Sequence, residues 1–349
     1  MRPDELFFEA WDTSARALAA GPAGLEHAFR IAGLPVRVLS AGPGMEENIL
    51  PALSHLESAE PGGGPSLTVR VWDCESAGVK PPLPPGLWND CTPWGELTAT
   101  RGSAVHASRL LDVGVFSMLD VASGRAVYWA NRSAQVPPYA RAAALRSILH
   151  IWMRANGRIF LHGASVAIDG EGVLLAGKGG SGKSTTALLC AAAGWQYLGD
   201  DYCLASAGPR PRVHSLYNSA KLPPDQWGRF ARWAGSPHAI RDPQSGKTVV
   251  FLAYDPAVRT AAETDLRAIV LPVVGDGIRT ELAAETAAAA WKAMGPSTVL
   301  QLPGAGAQDL ARIGELARSV PCFRLQLGGD WENIPSLVAQ ALRGTRRPT

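Results

Sequence analysis

The sequence predicts an α/β protein in two parts: a mostly β (α+β) region over residues 1–135 and an α/β part over residues 136–349. Three observations lead there. Residues 172–198 read as strand, glycine-rich loop, helix and strand, the order in which a phosphate-binding loop is built. Residues 66–73 alternate, with Leu67, Val69 and Val71 on one face and Thr68, Arg70 and Trp72 on the other, as a strand buried on one side does. Residues 266–274 are nearly continuously apolar, the mark of a central strand.

The elements follow in order. Residues 27–39 read as two short strands turning near Gly33. Two linkers, Pro61-Gly62-Gly63-Gly64-Pro65 and Pro81-Pro82-Leu83-Pro84-Pro85-Gly86, bracket the alternating strand. Residues 114–121 and 125–130 flank Ser123-Gly124 and predict a hairpin. Pro138 opens one helix in which Ala142, Leu145, Leu149 and Trp152 share a face, ending before Gly157. Strands are expected at 159–161, 165–168, 172–176 and 195–198, with a helix over 185–193 ended by Gly194. Helices are expected over 283–294 and 309–319, and a strand over 322–327. Asp330 is placed to cap a last helix over 331–343, followed by a loose tail.

Composition narrows the function classes. The 33 basic and 31 acidic residues leave a net charge of +2, which argues against a dedicated nucleic-acid or membrane-surface protein. Five cysteines, an odd number without a CxxC pair, give no zinc or disulfide framework. The acidic start lacks an apolar signal region and no run is long enough to span a bilayer, so a cytoplasmic protein is expected.

Gly177-Lys178-Gly179-Gly180-Ser181-Gly182-Lys183-Ser184 matches G-x-x-x-x-G-K-[ST] at every fixed position. Glycines at Gly177, Gly179, Gly180 and Gly182 admit backbone angles closed to other residues, so that successive N–H groups, Ser181 included, point at one anion. The following helix, starting at Thr185, aims its positive end at the same place. Lys183 suits the β- and γ-phosphates of ATP or GTP, and the Ser184 hydroxyl suits Mg²⁺. Lys178 occupies a free position and reads as a solvated side chain.

After the helix stands Gly199-Asp200-Asp201-Tyr202. Alone, the pair is most simply a turn in which one carboxylate bonds its own backbone. Beside a phosphate loop it suits metal and proton chemistry: one carboxylate for Mg²⁺, the other to accept a proton from an attacking hydroxyl. His162, before Gly163, is a weaker candidate, since a lone histidine is more often structural.

The ordered trio of His162-Gly163, the glycine loop and Asp200-Asp201 resembles the bacterial HPr kinase/phosphorylase family. The resemblance covers residues 157–205 with specificity and the rest of the C-terminal part weakly. It implies a P-loop core related to phosphoenolpyruvate carboxykinase, with ATP and Mg²⁺ as cofactors and γ-phosphoryl transfer to a protein serine. By resemblance Asp201 is the catalytic base, Asp200 and Ser184 serve the metal, and His162 supports the site. The family's Glu-x-Arg-Gly signature has no counterpart here; the matching stretch is residues 215–222, Ser-Leu-Tyr-Asn-Ser-Ala-Lys-Leu. The N-terminal region also differs, so the chain looks more like the divergent lasso-peptide kinases, which phosphorylate a precursor-peptide serine. That implies an ATP-binding catalytic domain over 136–349, a substrate-recognition domain over 1–135, and a homo-oligomer.

Lys221 and Lys247 read as surface lysines. Arg229, Arg232 and Arg241, near Trp227, Phe230 and Trp233, suit either a substrate-gripping lid or an amphipathic segment laid on the core. Trp72, Trp88 and Trp94 suit a peptide groove or core packing. Two rival functions stay open: a kinase for an amino acid or sugar, and a nucleotide-binding regulatory protein without transfer activity.

Overall fold

The computed structural model describes residues 2–21, 25–59, 66–83, 85–110, 113–300, 302 and 304–344. The linker 61–65, Pro84 and the tail 345–349 lie outside the described residues. The protein is mixed α/β with several sheets. It divides into two compact units: one runs up to Asn156 and takes in residues 302 and 304, and the other holds the remaining described residues from Gly157 on.

The first unit contains α1 (Pro3–Ala20), β1 (Glu26–Ile31), β2 (Leu34–Ser40), α2 (Pro43–Leu53), β3 (Leu67–Asp73), β4 (Val105–Leu110), β5 (Val115–Asp120), β6 (Arg125–Ala130), α3 (Pro138–Ala142) and α4 (Arg146–Ala155). Among the described residues its sheet has the order β1-β2-β3-β6-β5-β4, with β2, β3 and β6 parallel. The sequence reading passed over α1. Its signals were present: Pro3 at the first position, Asp4 and Glu5 in the first turn, and Leu6, Phe7, Ala10 and Ala17 on one buried face. That face packs on Trp72, Met118 and Trp129. Trp72 is therefore not a solvent-side residue of β3. Its ring stacks on Trp129 at 5.3 Å, because helix α1 covers the second face of the strand.

The expected single helix from Pro138 is two. Ala143 leaves helical angles and Leu145 takes φ 57°, breaking α3 from α4. The apolar spacing survives the break, since Leu145 and Leu149 are both buried, so the pattern alone carries no sign of it.

The second unit contains β7 (Ile159–His162), β8 (Ala164–Ile168), β9 (Glu171–Leu175), α5 (Lys183–Ala192), β10 (Gln196–Gly199), β11 (Tyr202–Ser206), β12 (Arg212–His214), β13 (Ser219–Leu222), α6 (Ala231–Ala234), β14 (Ile240–Arg241), β15 (Thr248–Phe251), β16 (Arg259–Thr260), β17 (Glu263–Val274), β18 (Glu281–Glu285), α7 (Ala287–Val299), α8 (Ala307–Ser319), β19 (Cys322–Leu327) and α9 (Ile334–Arg343). The main sheet runs β16-β10-β8-β9-β17-β12-β11-β7 and branches at β17. The start of β17 pairs with β12, its end with β19, and β9 lies alongside in parallel. Alternate residues of β9 face opposite layers. Val173 and Leu175 pack with Ala187 and Leu188 of α5 and Val338 of α9. Leu174 packs with Met294 of α7 and Ile313 of α8. Apolar side chains on both faces explain why these strands read as continuous apolar runs.

Two expectations at the C-terminal end are corrected. Residues 283–285 are the end of β18, paired with β19, rather than the start of a helix. Thr286 caps α7 by accepting a hydrogen bond from the Ala289 N–H at 3.1 Å. Asp330 does not cap the last helix: its Oδ1 accepts from the Thr280 N–H at 2.5 Å and hydroxyl at 2.7 Å. Residues Trp331–Asn333 form a 3₁₀ turn and α9 starts at Ile334.

Candidate active site

Strands β9, β17 and β19 run parallel, so their C-terminal ends share one edge, where ligands of open α/β sheets bind. The glycine-rich loop leaves β9 at that edge and enters α5. Gly182 has φ 102°, and a Cβ there would lie 2.2 Å from Leu327 Cδ1. Only glycine meets both conditions, and the loop is thereby seated on β19. At Gly179 and Gly180 an added Cβ would meet nothing within 4 Å, so the tip of the loop is open.

Lys183 is buried, and its Nζ donates to the carbonyls of Gly177 at 2.8 Å and Lys178 at 3.1 Å. Burial pulls its pKa below the usual lysine value, against the opposing charges of Asp200 and Asp201. Lys178 is exposed, as the sequence implied. Thr185 is half-buried in the first turn of α5. The buried hydroxyls of Ser181 and Thr186 have no hydrogen-bond partner among the described residues.

The Ser184 hydroxyl donates to Asp200 Oδ1 at 2.9 Å. Asp200 is buried, which raises its carboxyl pKa; the Ser184 bond and the Lys183 charge oppose the rise, and the Asp201 charge adds to it. The two aspartates part because the chain turns between them. Asp201 takes φ 67°, a left-handed angle rare for a residue with a Cβ. The Tyr202 N–H returns to the Asp200 carbonyl at 2.8 Å, and the Gly163 N–H binds the Asp201 carbonyl at 3.2 Å. Asp200 is turned inward onto α5. Asp201 is partly exposed, with Oδ1 3.5 Å from His162 Nδ1 and Oδ2 2.6 Å from Lys221 Nζ. His162 ends β7, pairs with Tyr202, and sets its ring edge-on to that tyrosine.

The site residues named from sequence thus form two groups. Lys183, Ser184 and Asp200 cluster at the start of α5, and His162 and Asp201 sit together beside the turn. Among the described residues no group of three or more His, Cys, Asp and Glu is placed to hold a metal. Ser184 and Asp200 nevertheless offer two oxygen donors, the kind Mg²⁺ takes together with waters and substrate phosphates. An open glycine loop, a buried lysine and the unpartnered Ser181 hydroxyl of the loop fit a phosphate group.

Lys221 was missed as a site residue. It is half-buried and ion-paired with Asp201 rather than solvated, and its pKa is raised: burial lowers it, but the Asp201 charge and hydrogen bond outweigh burial. The available signal was its place in the four-residue strand Ser219–Leu222, between the buried Ala220 and Leu222. Lys247 is exposed. The arginine–tryptophan segment folds onto its own unit, with Phe230 and Trp233 buried and Arg232 paired with Asp255. Trp72 and Trp88 are core residues; Trp94 is 56% exposed.

The second unit is therefore a three-layer α/β body with a glycine-rich strand–loop–helix at the ends of its parallel strands, flanked by two parted aspartates. A family model described as SynChlorMet cassette protein ScmC matches residues 141–232, a stretch that includes the loop, both aspartates and Lys221. No curated protein matches. Among solved structures, the Hpr(Ser) kinase/phosphatase from Coxiella burnetii is similar over 53% of this chain and 94% of that one, at 12% identity and a TM-score of 0.28. No helix among the described residues is long and apolar enough to cross a membrane.

Proposed function

We propose that the chain is an ATP- and Mg²⁺-dependent kinase that transfers the γ-phosphoryl group to a serine hydroxyl of a peptide or small protein. The carrying observation is the parting of the aspartates. One carboxylate is buried on Ser184 and the other is partly exposed beside it, which divides metal work from proton work. Phosphoryl transfer is mostly positioning and charge stabilisation, so a site needs these parts and little else.

In this reading the glycine-loop amides hold the phosphates, and Lys183 exchanges its loop carbonyls for phosphate oxygens. Ser184 and Asp200 hold Mg²⁺, which neutralises phosphate charge when bound. Asp201 accepts the proton of the acceptor hydroxyl. The hydroxyl oxygen bonds to the γ-phosphorus as the bond to the β,γ-bridging oxygen breaks, its electron pair leaving with ADP. His162 steadies the Asp201 side chain. The first unit recognises the acceptor peptide. The partial match to a cassette protein supports drawing candidate acceptors from peptides encoded beside this gene.

The test is intact-mass spectrometry of such serine peptides after incubation with the protein, ATP and Mg²⁺. One phosphate gained on serine, and lost with Asp201→Asn, supports the reading. Transfer only to free amino acids or sugars moves it to a small-molecule kinase. ATP binding without any transfer moves it to a regulatory nucleotide-binding protein.

A further inference from the structure

Lys221 has no part in the reading above, yet its ammonium donates to Asp201 Oδ2 at 2.6 Å. Its strand, β13, is held by antiparallel pairing with β15, Lys221 opposite Val249. Two buried bonds tie the stretch around it to the strand that delivers the aspartates. The Tyr197 hydroxyl donates to the Ser219 carbonyl at 2.9 Å, and the Ser215 hydroxyl donates to the Leu198 carbonyl. Gly199 brings the same backbones together: a Cβ there would lie 3.0 Å from the Tyr217 carbonyl oxygen. The distance from Lys221 to the aspartate turn is thus set by the scaffold.

A fixed partner matters at Asp201. Its backbone sits in a region unfavourable to a non-glycine residue, and its side chain is partly open to solvent. His162 on the other oxygen is 3.5 Å away, too far for a strong hydrogen bond. The contact to Lys221, at 2.6 Å, has the length of a charge-assisted bond.

We infer that Lys221 is a positioning residue: through its ion pair it fixes the carboxylate of Asp201 in the orientation from which that group meets the acceptor hydroxyl. This rests on the kinase reading. Lys221 acts through Asp201 and not on the nucleotide, so it affects turnover rather than ATP binding. When Asp201 takes the acceptor proton, the pair loses one charge and the ammonium keeps its proton, so no further reactant is required.

The experiment is a double-mutant cycle of Lys221→Met and Asp201→Asn. The acceptor probe is a serine-centred degenerate peptide library, with ATP and Mg²⁺. Lys221→Met is expected to lower kcat about 10–100-fold, the scale of a misplaced reacting group, with KM for ATP and the melting temperature little changed. Lys221→Arg should restore most of that loss. The double variant should be no slower than Asp201→Asn alone, because the two residues act as one unit. Losses that multiply, an unchanged kcat in Lys221→Met, or a loss confined to KM for ATP would overturn the inference and leave the kinase reading standing. Wild-type protein that binds ATP and phosphorylates no peptide would overturn the kinase reading, and the inference with it.

Discussion

The Ser184 hydroxyl and the Asp200 carboxylate are joined at 2.9 Å, a bond that ties the first turn of α5 to the end of β10. Asp200 is 2% exposed, and its charge is held there at a desolvation cost. Asp200→Asn keeps an acceptor for Ser184 and removes the charge. The variant is expected to melt no lower than the wild type, and to lose about 10–100-fold in ATP affinity measured with Mg²⁺. Thermal melts and calorimetric titrations with and without Mg²⁺ check both halves. A large drop in melting temperature would show that the charge itself holds the fold.

Lys183→Met should abolish most nucleotide binding. A charged hydrogen bond contributes about 1.5–3 kcal/mol, so losing one or two costs roughly 10–100-fold or more in affinity. The free fold should change little, because the lysine is itself costly to bury. Titration calorimetry with ATP measures the loss, and unchanged affinity would remove Lys183 from the site.

Gly182→Ala should destabilise the second unit by about 2–4 kcal/mol, since it combines a positive φ with a clash against Leu327. Adding Leu327→Ala should relieve the clash but not the angle. In urea unfolding, the double variant should then be less destabilised than the sum of the single changes. Simple additivity would show that the backbone angle dominates.

His27 bridges two carboxylates in the first unit, with Nε2 2.8 Å from Glu46 and Nδ1 3.1 Å from Glu57. Burial lowers its pKa, but the two hydrogen-bonded glutamates outweigh burial and raise it above its ordinary 6.5. A raised histidine gives stability that is full below the unfolded value and fades as pH rises through the folded one. The melting difference between wild type and His27→Gln should therefore be largest just below pH 6.5 and shrink on the alkaline side. For a partly exposed pair its size is about 0.5–1 kcal/mol. A difference that grows with pH would contradict the assignment.

Most strands near the glycine loop were legible because both faces are covered, so burial wrote itself into short apolar runs such as Val173, Leu174 and Leu175. The loop was legible because its glycines, Lys183 and Ser184 have fixed spacing. Helix α1 carried end signals, but three aromatics and several polar residues obscured its stripe of small buried ones, Ala10, Ser14 and Ala17. The break at Leu145 was hidden because a left-handed leucine leaves no composition signal. Lys221 was hidden for a different reason. Its partner lies twenty residues away in sequence, and only the pairing of β13 with β15 and the bonds of Tyr197 and Ser215 bring the two together.

Strand β17 has a consequence for the order in which the chain acquires its site. It pairs with β9, about ninety residues earlier, and with β19, about fifty residues later. Such long-range pairings close late in folding. During synthesis the glycine loop emerges long before Leu327, the side chain on which Gly182 is seated. A nascent chain that has not reached β19 carries the full phosphate motif without its support. On the kinase reading, the loop is therefore expected to gain its nucleotide-binding form only once the C-terminal strand has paired.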